Sequence, residues 1–502
     1  MELPNIRRDN HKRRPTARST SIREREGYGT PQSRSSARRA ERERRRTVER
    51  AREASGRQRP EKQSVLKSVV NGWWSRLYAT ILGDTWDEQG QLYASGNTKR
   101  DYVLNTAGLS AWGMLFPMLT IVASQLVGAE NAGQFNMAFT TATLLLYIGN
   151  YGVKTFQVSD IEETESFASY QLQRVITCVA MILIGIIYCL VRGYTGDMLL
   201  ICAGAFGFRA VDALADVYES RMQQQDKLYL AGISQAVRSI FGIIVFSLLL
   251  LITRSLVVAS IGLAVAAVAS FVLLTLPLTL LETTKSRPWS TLEIREIFVE
   301  CFPTFLALFL FALIESVPKY AMEGVLPYES QVYFSAIYFP AQAVLMIVGF
   351  IYKPQLVKLA NIWSDSSKRA RFDLIVLAMI GATAAVTIVM AIIFQFVGVP
   401  LNSMLYGVDF APYRAAQLIM IVAGGMSAAI DFLYQIITVL RQQQMATRIY
   451  IGAFVFVTLA SIILVRLMGF DGAVWSYFLV MVALLIALVV TYLLLRAKRS
   501  TN

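Results

Sequence analysis

From about residue 103 onward, long apolar stretches alternate with short polar connections, and each stretch can cross ~30 Å of hydrocarbon as a helix. The pattern predicts twelve spans, near 103–127, 133–154, 171–191, 196–219, 230–252, 256–281, 297–318, 331–353, 372–398, 412–439, 446–468 and 473–495. Ahead of them, Val65, Leu66, Val69, Val70, Trp73, Trp74, Leu77, Ile81 and Leu82 recur at helical spacing among Lys67, Asn71 and Arg76. That stretch is too polar to span and reads as an interfacial helix, with Trp at headgroup depth. Residues 1–62 are rich in Arg, Ser, Glu, Pro and Gln and bury too little apolar area to offset chain entropy, so disorder is expected.

Two polar signatures recur inside the apolar part. Asp212 in Ala210–Ala213 is followed by Gln223–Gln225, and 219 residues later Asp431 in Ala429–Phe432 is followed by Gln442–Gln444. At a shift of 199, Phe135 and Lys154 match Phe334 and Lys353, with Phe139 and Tyr338 between them. The glutamines mark the duplication and carry no chemistry of their own. Corresponding pieces lie six spans apart, an even number, so the two units insert with the same orientation around an axis along the membrane normal, with a cavity between them. The expected fold is therefore an all-α polytopic membrane protein of about twelve transmembrane helices in two parallel-related six-helix lobes. The domains are a basic tail (1–62), an amphipathic segment and linker (63–97), an N-lobe (98–282) and a C-lobe with a short basic end (283–502). Longer connections around Trp363–Phe372 and Gly398–Pro412 account for the 20-residue difference between the two shifts.

Composition supports this and corrects the charge. The chain has 502 residues, 55% hydrophobic and 17% charged, well below the ~25% charge of a soluble domain. The net charge of +13 resides in the tail: residues 1–62 hold 20 Lys/Arg against 9 Asp/Glu, leaving 28 against 26 elsewhere. Arg and Lys concentrate in the connections that share a side with the amino terminus, so both termini are expected in the cytoplasm. No cleavable signal peptide is visible. The four cysteines, all in apolar segments without CxxC spacing, read as buried thiols. The sole histidine, His11, sits in the tail, so neither a His-based metal site nor a triad is available within the spans. There is no GxxxxGK[ST], HExxH, GxSxG or dinucleotide fingerprint, so neither an enzyme nor a nucleotide-driven pump is expected, and no cofactor.

Ionisable residues inside spans are candidate functional residues. Arg209, Asp212, Asp216, Glu219 and Arg221 fall on one face of the fourth span, which either pairs with neighbouring helices or lines water. Arg238 in the fifth span pairs with one of those acids or contacts substrate. Glu315 and Lys319 are one turn apart beside Pro318, which would kink or end the seventh span. Lys154 and Lys353 close the second and eighth spans, either as cations at a cavity mouth or as snorkelling residues.

With Lys99–Thr106, Leu126–Phe135, Tyr218–Gln225, Pro318–Tyr320 and Phe350–Pro354 in this order, residues 98–495 resemble a polysaccharide-unit flippase of the multidrug/oligosaccharidyl-lipid/polysaccharide exporter superfamily. The resemblance implies translocation of an oligosaccharide linked to polyprenyl pyrophosphate across a bacterial inner membrane, for surface polysaccharide. It implies alternating access coupled to an ion gradient, with a polymerase or glycosyltransferases as partners. In such proteins spans 1, 2, 7 and 8 border a cationic cavity, which maps onto Asn105, Asn136, Asn150, Lys154, Glu315, Lys319, Gln342 and Lys353. The chain departs from the pattern in having few unpaired cations deep in those spans, so Arg209 or Arg238 is the expected phosphate contact. Asp212, Asp431 and Glu315 are candidate ion carriers. The tail is expected to bind anionic lipid at about 1 kcal/mol per close basic residue, with no nucleic-acid partner. Rival readings are a multidrug or cation antiporter of the same superfamily, a lipid II flippase, and a membrane scaffold.

Overall fold

A computed structural model of the chain describes residues 96–160, 162–352, 359, 362, 369–440 and 442–500. The basic tail, the Val65–Leu82 helix and Lys353 lie outside the described residues. In hydrocarbon every backbone polar group must be satisfied within the protein, and a continuous helix does this one turn at a time. Each apolar stretch accordingly forms one helix. These are α1 (Gly96–Val127), α2 (Ala129–Asn150), α3 (Phe167–Arg192), α4 (Gly196–Gln224), α5 (Leu228–Thr253) and α6 (Leu256–Glu282, with a π turn at Phe271–Thr275). The second set is α7 (Thr291–Met322), α8 (Glu329–Tyr352), α9 (Arg369–Tyr406), α10 (Arg414–Val439), α11 (Gln443–Met468) and α12 (Phe470–Ser500). A short helix, Val153–Ser159, lies between α2 and α3.

Eleven of the twelve are long and apolar enough to cross a membrane on their own account. The exception is α2, which carries Asn136, Thr140, Thr141, Thr143 and Asn150. It tolerates them because it is the central helix, packed against α1, α3, α4, α7 and α8, with Asn136, Thr140 and Thr141 buried. Pro318 does not end α7, which continues to Met322. A transmembrane proline is accommodated where packed neighbours satisfy the freed carbonyl.

Two lobes follow from the packing. Every principal helix pair of α1–α6 recurs six helices later: α1 with α5 as α7 with α11, α2 with α4 as α8 with α10, and α4 with α6 as α10 with α12. The 20-residue difference between the repeats is located differently from the sequence expectation. Sixteen residues separate α2 from α3 and α8 from α9 alike, whereas α9 has 38 residues against 26 for α3. The insertion is therefore mainly an extension of α9.

The N-lobe is held by ionic contacts. Asp212 of α4 accepts from Arg238 Nε at 3.0 Å and Nη2 at 2.8 Å, and Arg238 Nη1 donates to Glu219 at 2.6 Å. Asp216 takes Arg174 of α3 at 3.1 Å and Lys154 at 2.9 Å, and Arg221 pairs with Glu163 at 2.8 Å. The polar face of α4 thus ties it to α3, α5 and the preceding connection. The matching helix α10 carries Asp431 as its single acid, bonded by the Tyr352 hydroxyl.

Because the helices alternate in direction, α1 starts and α12 ends on the same side, here the tail face. One set of contacts between the lobes lies at the opposite, far face. Ser124 Oγ donates to the Tyr406 carbonyl at 2.6 Å and Gln125 to those of Met404 and Leu405. Gly133 lies against the Tyr328 carbonyl so closely that a Cβ there would stand 1.9 Å from it. Ser335 donates to Asn136 and the Glu329 amide to Glu130. At the tail face the contacts come from α7 and the connection before it: Tyr151 stacks on Phe305 at 4.5 Å, Glu293 accepts from Ser166 and Ser169, Ser286 Oγ accepts from the Ala168 amide at 2.9 Å, and Arg287 donates to the Thr164 carbonyl at 2.9 Å.

Candidate functional site

Below the far-face contacts the lobes enclose a cavity of about 170 Å³. Trp112, Phe116 and Thr120 of α1 line it with Thr140, Thr143 and Tyr147 of α2 and Arg209 of α4. The C-lobe adds Glu315 and Lys319 of α7, Ser335, Tyr338 and Gln342 of α8, and Tyr406 of α9. With several polar partners and room for more than one molecule, such a space has the size and the polar partners that buried water requires.

Its two helical-neighbour charges on α7 are not paired with each other. Lys319, 5% exposed, donates to Thr140 Oγ1 at 3.2 Å and lies 5.3 Å from the Phe116 ring centre, with no ion pair among the described residues. Glu315, one turn earlier, accepts from Ser427 Oγ at 3.3 Å and Tyr477 OH at 3.4 Å. The amine is thus held from the N-lobe and the carboxylate from the C-lobe, although both sit on one helix. Arg209 donates to Asp212 at 2.9 Å and Thr143 at 3.2 Å, its guanidinium is 4.6 Å over Phe139, and its Nε has no partner.

Among the sequence candidates, Arg209, Glu315, Lys319 and Gln342 come together in this cavity. Asn136 sits beside it, bonded to Ser335 at 2.9 Å and Thr120 at 3.4 Å, both of which line it. The rest are elsewhere. Arg238, expected as a substrate contact, is 1% exposed with all its terminal nitrogens on Asp212 and Glu219, because those two acids need a counter-ion. Asp212, expected as an ion carrier, is surrounded by Arg209, Arg238 and the Trp112 indole, 2.7 Å away. Asn150 accepts from Arg174 at 2.6 Å, and Lys154 is taken by Asp216. Asn105 lies where α1 crosses α5 at Gly108 and Gly232, a close approach that only small residues permit. Lys319, one residue beyond the seventh span (297–318) as the sequence bounds it, is inside α7 and buried.

Sequence reasoning missed Trp112, Thr143, Tyr147, Ser427 and Tyr477. Aromatic and hydroxyl residues are ordinary in spans, so nothing in their own spacing set these five apart.

No protein-family model and no curated protein matches the chain. Solved structures do. One is described as the inward-facing conformation of a multidrug resistance MATE family transporter of the MOP superfamily. It is 13% identical, with a TM-score of 0.58, over 79% of this chain and 98% of that one. The structure described as the outward-facing conformation of such a transporter gives 0.55 at 13% identity, over 80% and 95%. A MOP superfamily transporter from Pyrococcus furiosus, described as having a binding pocket of reverse polarity that suggests a different function, gives 0.53 at 12% identity, over 80% and 95%. The likeness is one of fold. The chain has the twelve-helix, two-lobe MATE transporter fold.

Proposed function

We propose that this protein is an alternating-access carrier for an amphipathic substrate with an anionic headgroup, of the polyprenyl-pyrophosphate-linked oligosaccharide class. The observation that carries this reading is Lys319: a buried amine facing the cavity between the lobes, with a hydroxyl and a ring as its neighbours and no ion pair among the described residues. Holding an uncompensated charge at membrane depth is costly, and such residues are kept where they meet a ligand. Arg209, with an unpartnered Nε, adds a second donor, and the Trp112, Phe116, Tyr147 and Tyr338 rings offer faces for sugar. The far-face contacts close one side of the passage, while among the described residues the hydrogen bonds and ring stacking between the lobes at the tail face involve α7 and the connection before it. With both termini in the cytoplasm of a bacterium, this is the inward-open state. Rocking of the lobes would then expose the headgroup to the other side. Glu315, and Asp431 deeper toward the tail face, would carry the coupling ion; anionic lipid would hold the tail, and a polymerase or glycosyltransferases would receive or supply the glycan.

A second reading, a cation antiporter that exports drugs, draws on Glu315 and on what the fold neighbours are described as transporting. Thermal stabilisation of the purified protein by a polyprenyl-pyrophosphate oligosaccharide separates the two. The first reading expects stabilisation that Lys319→Met abolishes and Glu315→Gln leaves in place. Stabilisation by cationic dyes instead, abolished by Glu315→Gln, establishes the second.

A further inference from the structure

At the far face, the connection between α7 and α8 carries an acid that neither the cavity nor the repeat accounts for. Glu323 has a side chain only 2% exposed although it sits at a helix end. Its carboxylate is bonded by Arg192 at the end of α3, by Tyr194 just before α4, and by Tyr328 at 3.3 Å. Arg192 and Tyr194 belong to the N-lobe, Glu323 and Tyr328 to the C-lobe. A ladder of rings continues inward from this point: Tyr194 on Tyr188 at 5.9 Å, Tyr188 on Tyr320 at 6.0 Å, and the Tyr320 hydroxyl on Thr141 at 3.1 Å. Thr141 neighbours Thr140, the partner of Lys319.

The same pair of helices is tied at its other end. Glu293, in the first turn of α7, accepts 2.6 Å bonds from the hydroxyls of Ser166 and Ser169 at the start of α3. Thus α7, which packs along α11 and α12 of its own lobe, is held to α3 of the opposite lobe at both faces. A rigid rocking of the lobes cannot preserve both ties.

We propose that Glu323, with Arg192 and Tyr194, is the clasp that holds the far face shut, and that its rupture is the step that opens the passage there. The inference rests on the alternating-access reading. Charge-assisted, water-poor contacts suit a latch, because each bond is strong while closed and every member is rehydrated on opening. The ring ladder gives the clasp a packed route to Thr140 and Lys319, so a headgroup at Lys319 disturbs the neighbours of the latch.

The test is a distance measurement on the full chain in nanodiscs. Nitroxides are placed on Asp197→Cys in the N-lobe and Asp409→Cys in the C-lobe, both exposed at the far face, while the four native thiols are buried. Losing a hydrogen bond to a charged group should raise the population of the longer, far-face-open distance by about tenfold in Glu323→Gln. Arg192→Gln should act alike and Tyr194→Phe more weakly. Three separate substitutions guard against one that fails to fold, checked by size-exclusion profile. An unchanged distance distribution in the folded variants overturns the clasp, whatever the transport assays give. A shifted distribution in a protein that moves no substrate keeps the clasp and removes the transport reading.

Discussion

Ser335 donates a 2.9 Å hydrogen bond to Asn136, and the two are counterparts in the internal repeat, 199 positions apart. The Glu329 amide bonds Glu130 at 3.0 Å across the same interval. A residue touches its own counterpart only on the axis that relates two copies, as in an isologous dimer interface. The axis of the fold therefore runs between α2 and α8, and the buried polar pair Asn136 and Ser335 on it is spent on itself.

Stability should reflect this contact modestly. Ser335→Ala is expected to cost about 0.6 kcal/mol, the usual worth of a hydrogen bond between membrane helices. Because the site is near-symmetric, Asn136→Ser combined with Ser335→Asn should recover most of the melting temperature lost by either change alone. Additive losses in the double variant would show that the two sides are not interchangeable.

The two repeated aspartates should behave unequally. Asp212→Asn takes away the ion pair of Arg209 and leaves Arg238 with Glu219. Removing one partner from a buried ionic cluster costs about 3–5 kcal/mol, so poor yield and a strongly lowered melting temperature are expected. Asp431→Asn, which disturbs one tyrosine contact, should fold almost normally. Equal destabilisation by the two would refute the anchoring role given to Asp212.

A pH effect should come from Glu165, outside the spans in the connection before α3. Burial, then the charges of Glu296, Glu293 and Asp160, pushes its carboxyl up from 4.5 to about 7. A folded-state value above the unfolded one means that the native state holds the proton more tightly. Its contribution to stability is fully present below pH 4.5 and is lost as pH rises through about 7. Between pH 5 and 8 the melting temperature of Glu165→Gln should gain steadily on the parent protein. A constant offset would contradict the assignment.

Much of this was legible in one dimension, for a physical reason. Hydrocarbon forces each apolar stretch into a helix, so the twelve spans, the repeat and the shared polar face of α4 could be read from period and hydropathy. The alternatives left open for that face, pairing or lining water, are divided in the structure. Asp212, Asp216 and Glu219 pair, while Arg209 does both. What pattern does not encode is which faces of two lobes meet. Lys319 looked like a loop residue because Pro318 precedes it, and only packing around α7 keeps the helix going. Arg192 and Glu323, ordinary connection charges 131 positions apart, become partners solely through the closure of the far face.

The most direct measurement is flipping in proteoliposomes. A fluorescent polyprenyl-pyrophosphate oligosaccharide is exposed to an impermeant quencher, with the parent protein and with Lys319→Met. The account predicts quenching beyond the outer-leaflet fraction that depends on the protein and on an ion gradient, and its loss in Lys319→Met. Quenching confined to the outer leaflet with the parent protein, or undiminished flipping by Lys319→Met, would contradict it.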